Sequence, residues 1–129
     1  MRNPVVHFEI YGSDPGTLAE FYTSLFDWKI EPFPGMDYRV VKTVETDDHG
    51  TPRGHGINGG MVAHEEARRP GWINYVAVDS VDRSIERAKE LGAKVHKGRE
   101  AVPGMGWFAI LEDPQGNPFA LWQTGAKAK

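Results

Sequence analysis

The chain contains no cysteine, which removes disulfides, thiolate nucleophiles, iron–sulfur clusters and cysteine-ligated zinc together. Any metal must sit on His, Asp, Glu, Asn or Gln. No apolar run approaches the roughly 18 residues that a membrane-spanning helix needs. Met1-Arg2-Asn3-Pro4 leads into a strand-like segment without the apolar stretch of a signal peptide. The expectation is a cytoplasmic protein with no membrane partner. Basic charge is also short: 15 Lys and Arg stand against 18 Asp and Glu, a net charge of -3 with no basic cluster. Nucleic-acid binding through phosphate neutralisation is disfavoured. Low-complexity sequence is confined to the tail Gly125-Ala126-Lys127-Ala128-Lys129.

What is present is ordinary globular material: 129 residues, 40% hydrophobic and 11% aromatic, enough for one domain and too apolar for disorder. Residues 5–10 (VVHFEI) alternate, with Val6, Phe8 and Ile10 on one side of a strand and Val5, His7 and Glu9 on the other. Asp14 is placed to cap a helix and Pro15 suits its first turn. Leu18, Phe21, Tyr22, Leu25 and Phe26 then form an apolar stripe expected to pack on a sheet, the helix ending near Asp27. Strands are predicted over 29–33, 38–45 and 57–64, broken by Pro34-Gly35 and by the loop His49-Gly50-Thr51-Pro52-Arg53-Gly54.

The order then repeats. Residues 65–71, with Glu65, Glu66, Arg68 and Arg69, read as a charged, solvated linker. A strand over 72–78 is followed by a cap at Asp79 or Ser80 and by the helical stripe Val81, Ile85, Ala88 and Leu91, closed by Gly92. Strands follow over 94–97, 106–112 and 119–123, the last two joined by the type I turn Asp113-Pro114-Gln115-Gly116. Superposing His7 on Asn74 aligns the halves at an offset of 67 residues. The prediction is an α+β protein of two βαβββ modules, the first over about 4–64 and the second over about 72–124, forming a curled mixed sheet around a cleft.

Four strings in this order, HFEIYGSDPGTLAEFYTSLFDWKIE at 7–31, INGGM at 57–61, NYVAVDSVDRSIERAKELGAKV at 74–95 and VPGMGWFAILEDPQGNPFALWQ at 102–123, resemble the vicinal oxygen chelate superfamily. That superfamily holds glyoxalase I, extradiol dioxygenases, and fosfomycin and bleomycin resistance proteins. The chain looks like its small two-module, glyoxalase-like members, a resemblance that also implies a homodimer. In the metal-dependent members, the first and last strand of each module each supply one ligand on the cleft face. His7 matches the first of these positions. Asn74 stands at the second, Ala120 at the carboxylate position of the last strand, and Gly59-Gly60-Met61 at the end of module one. One imidazole does not hold a transition metal, and Glu9, about 7 Å along the strand, adds only a second ligand. No cofactor is predicted, and a divalent metal is disfavoured.

The ionisable pair His7 and Glu9 is the candidate for acid–base chemistry. Tyr38, Trp107, Phe119 and Trp122, with Met61, are candidates to line a small-molecule cleft, with Asn58 and Asn74 orienting the ligand. Trp28 and Trp72 read more simply as core or interface. His49 and His55 read as solvated loop histidines, and Gly104-Met105-Gly106 as a flexible rim, since it lacks the lysine and helix of a phosphate loop. The primary reading is a metal-independent binding protein for a small aromatic or amphipathic molecule. The alternative is a lyase or isomerase working through His7 and Glu9, or an extradiol-type dioxygenase with a non-standard metal site.

Overall fold

The structure is a computed structural model describing residues 2–63 and 71–129. The linker expected over 65–71, and His64 at the end of its strand, lie outside the described residues apart from Gly71. The element order is β1 (Val5–Gly12), α1 (Pro15–Leu25), β2 (Lys29–Pro32), β3 (Arg39–Lys42), β4 (Gly59–Ala63), β5 (Gly71–Ala77), α2 (Val81–Glu90), β6 (Lys94–Val102), β7 (Gly106–Glu112) and β8 (Pro118–Thr124). This is βαβββ twice over, an α+β fold whose strand pairs are both parallel and antiparallel. Two compact units result, His7–Trp72 and Met1–Val6 with Ile73–Lys129. Among the described residues no helix is long and apolar enough to cross a membrane.

In the His7–Trp72 unit the strand order is β2-β3-β4-β1, with β1 parallel to β4 and the other pairs antiparallel. Asp14 caps α1 as expected, accepting the Thr17 amide at 3.2 Å and the Thr17 hydroxyl at 2.8 Å. The alternation of β1 places Phe8 and Ile10 against Val41 and Met61 in a core covered by Leu18, Ala19 and Tyr22 of α1, with Trp28, Ile30 and Ile57 around it. The other half of the apolar stripe does not pack on the sheet: Phe21, Leu25 and Phe26 are exposed. Leu18 and Tyr22 lie one turn apart on the sheet side, and Phe21 and Leu25 lie rotated away from it. The stripe is wider than the sheet can cover.

In the second unit the order is β5-β8-β7-β6, with β5 parallel to β8. Ser80 caps α2 through the Arg83 amide at 3.1 Å, and Gly92 follows the helix at φ 101°, the left-handed position expected of it. Gln123 Oε1 accepts the Val81 amide at 2.9 Å, tying β8 to the helix start. Val81 and Ile85 pack on Ala109, Leu111 and Leu121. The predicted turn forms: the Gly116 amide donates to the Asp113 carbonyl at 3.0 Å, and Asp113 Oδ1 accepts the amides of Gln115 and Asn117. Strand β6 runs to Val102, beyond the predicted 97, with register shifts on both sides of Lys97.

The caps correct the repeat. Asp14 and Ser80 are 66 residues apart, so the halves align at 66 and not 67. At that offset Ala19 meets Ile85, Tyr22 meets Ala88, and His7 meets Ile73. All four helix residues pack on the core of their own unit.

Candidate active site

The polar site is built on the side of β1 that turns away from α1. Strand alternation puts His7, Glu9 and Tyr11 there, opposite Phe8 and Ile10. Gly60 pairs in register with Glu9 and with Val40, and has no side chain to project over them. A Cβ at Gly60 would overlap the hydroxyl and ring of Tyr38, so this glycine is what admits the phenol. Tyr38 precedes β3, and the Phe33 amide donates to its carbonyl at 2.8 Å across the turn.

The four side chains share one hydrogen-bond chain. The Tyr38 hydroxyl donates to Glu9 Oε2 at 2.8 Å, and the Tyr11 hydroxyl donates to Glu9 Oε1 at 2.8 Å. His7 Nε2 lies 3.0 Å from the Tyr38 oxygen and 3.5 Å from Glu9 Oε2. A phenol has one proton, and here Glu9 accepts it. The contact with His7 therefore requires a proton on Nε2, which assigns either the Nε2–H tautomer or the imidazolium. Burial, then the charge of Glu9 and its hydrogen bond, push the Tyr38 phenol far above its ordinary range, so it remains a protonated donor. The arrangement fixes the imidazole edge and engages both carboxylate oxygens. It can orient a proton on His7 and present a polar, negatively charged floor to a ligand.

The other expected site residues fall elsewhere. Met61 is fully buried in the α1-side core, because its register partners Ile10 and Arg39 put it on that face. Asn58 is a loop pin: its Oδ1 accepts the amides of Thr43 and Val44 at 2.8 and 3.0 Å, and its Nδ2 is buried without a partner. Asn74 is exposed and shares the side of Val76, whose partner Leu121 packs under α2, so it is not on the helix-free face. Trp107 and Phe119 also pack against the α2-side core. Trp122 does share the face of Ala120, as predicted, with its Nε1 donating to Thr124 at 3.1 Å. Tyr75, Phe108 and Ile110 complete that apolar face, the first two rings 6.2 Å apart.

The sequence reading missed Tyr11 and Gly60. Tyr11 was legible, since 7, 9 and 11 share a face; the role of Gly60 shows only once Tyr38 is placed. Across the superfamily's ligand positions, His7 is joined by Ile73, Gly60 and Ala120, none of which has a donor atom in its side chain. Among the described residues no three His, Cys, Asp or Glu side chains come together as a metal group would require. The four-ligand metal arrangement does not fit these residues.

A family model, the glyoxalase-like domain, matches residues 7–122. The chain belongs to the glyoxalase-like domain family. It is 27% identical over 130 residues to "Putative glyoxylase CFP32" of Mycobacterium bovis, and likewise to that of Mycobacterium tuberculosis. The match takes in 90% of this chain and 44% of those proteins, so the chain spans less than half the length of these curated relatives. Among solved structures, a glyoxalase/bleomycin resistance protein/dioxygenase superfamily member from Vibrio splendidus superposes with a TM-score of 0.63 at 16% identity, over 94% of this chain and 98% of that one. A Streptomyces coelicolor methylmalonyl-CoA epimerase variant in complex with 2-nitronate-propionyl-CoA gives 0.63 at 16% identity, over 98% of both chains. These likenesses show a shared fold.

Proposed function

We propose that this member of the family binds a small aromatic or amphipathic molecule without the superfamily's metal, its polar end on the face formed by His7, Glu9, Tyr38 and Tyr11. The observation that carries this reading is the donor set: Ile73, Gly60 and Ala120 stand at three ligand positions. The carboxylate beside His7 accepts two phenol hydrogen bonds. Apolar area on the Tyr75, Phe108 and Trp122 face suits a ligand with a flat or aliphatic part.

A second reading has its own support. The chain from His7 Nε2 through Tyr38 to Glu9 is an arrangement for moving a proton, as a metal-free lyase or isomerase would need. An extradiol-type dioxygenase is less well supported, because its chemistry needs a metal that these donors do not hold.

The test is a titration of chelator-stripped protein with Zn, Ni, Mn, Co and Fe(II), followed by thermal shift, and then with 8-anilinonaphthalene-1-sulfonate as an aromatic amphiphile. A ligand of the native state must raise its apparent stability. The expected result is no stoichiometric metal binding and saturable 1:1 binding of the dye. The dye affinity should fall no more than a few-fold in His7→Ala. Tight 1:1 metal binding overturns the metal-free reading, and failure to saturate with the dye overturns the ligand class.

A further inference from the structure

We infer that the outward face of α1 is an interface between two copies of this chain. Its two helices contrast sharply. Helix α2 carries six charged side chains in ten residues and still buries Val81 and Ile85. Helix α1 carries one charge, Glu20, in eleven residues and fully buries none of them. Phe21 is 57% exposed and Leu25 59%, one turn apart, with Phe26 at 45% beside them. Ring contacts carry this surface onward without a break, from Phe21 to Tyr22 at 5.1 Å, from Tyr22 to Phe26 at 6.4 Å and from Phe26 to Trp28 at 5.0 Å. Trp72, 47% exposed, meets Tyr22 edge-on at 6.1 Å and stacks on Phe8 at 5.0 Å.

Three observations select a second copy as the occupant. First, a two-fold contact sets a patch against itself, so a charged patch repels and a neutral one does not. The stripe is neutral, its exposed polar neighbours Thr17, Thr23 and Ser24 are hydroxyls, and Glu20 points away from Phe21 and Leu25 around the helix. Second, four exposed side chains at roughly 100 Å² each supply about 400 Å² of apolar surface. That is the apolar core of a standard interface of about 800 Å² per partner. Third, the mycobacterial relatives are long enough to hold a second unit of this size beside the matched one.

The absence of cysteine makes the test direct. Leu25→Cys treated with a short bismaleimide at micromolar concentration should give mainly covalent dimer, and Leu91→Cys, equally exposed on the other unit, should remain monomer. Sedimentation equilibrium of the unmodified chain should show a dimer that Phe21→Glu weakens at least tenfold, with an unchanged circular dichroism spectrum. A chain that is monomeric at 100 µM, as it would be if another protein covers this face, overturns the inference. So does a dimer indifferent to Phe21→Glu, or equal cross-linking at positions 25 and 91.

Discussion

Tyr38 gives its one hydroxyl proton to Glu9 and accepts one from His7, so a single oxygen holds two ionisable side chains in place. Tyr38→Phe keeps the ring over Gly60 and removes only that oxygen. His7 Nε2 and Glu9 Oε2 then lose a shared partner in a half-buried setting, an expected cost of about 1–3 kcal/mol. Gly60→Ala attacks the same bridge from below, because the added methyl takes the space of the phenol end and forces both bonds to break. Urea unfolding of the two variants should show losses of the same order. A loss under about 0.5 kcal/mol in both would mean that the bridge does not hold the site together. Little of this was readable from the sequence. Strand alternation gives the face of His7 and Glu9, but Tyr38 follows a Pro-Gly turn, and its aim depends on a glycine in another strand.

At the scale of elements, the cap and turn residues were the most legible features. Asp14, Ser80, Gly92 and the Asp113 turn each act through neighbours within a few positions in the chain. The register of β5 was not legible, for a physical reason. Residues 72–78 (WINYVAV) are apolar on both faces, so periodicity does not say which side meets the helix; only the pairing of Val76 with Leu121 does. The cap at Asp14 also yields a pH prediction. Hydrogen bonds from the Thr17 hydroxyl and amide hold its carboxyl below the ordinary 3.8. Asp113 is lowered in the same way, first by the Asn117 amide and side chain. A carboxyl that is more acidic in the folded state stabilises it above the unfolded value and loses that contribution as pH falls through the folded one. Asn is as good a cap as Asp but does not titrate. Asp14→Asn should therefore flatten the fall of the urea midpoint between pH 5 and pH 2 and leave the neutral-pH midpoint nearly unchanged. A curve parallel to that of the parent would show that the cap charge does not contribute.

For the whole molecule, stability rests on two separate cores of modest size. One is closed by Met61 with Phe8, Ile10 and Val41, the other by Leu111 with Val81, Ile85, Ala109 and Leu121. A unit of about 60 residues buries only about 60% of the surface its unfolded chain exposes, so neither core has much to spare. Met61 and Leu111 are both fully buried, and no water can replace the contacts that truncation removes. Met61→Ala or Leu111→Ala is expected to cost about 2–5 kcal/mol. The two substitutions share no partners, so their costs should add to roughly 4–10 kcal/mol. A domain of this kind has about 5–15 kcal/mol of stability in total. Each single variant should keep a cooperative urea transition at a lower midpoint, and the double variant should sit at or beyond the edge of folding at 25 °C, with its near-ultraviolet circular dichroism lost. A double variant that keeps the full transition with a combined loss below about 2 kcal/mol would mean that one of these cores relaxes around the missing side chain and does not limit the stability of the chain.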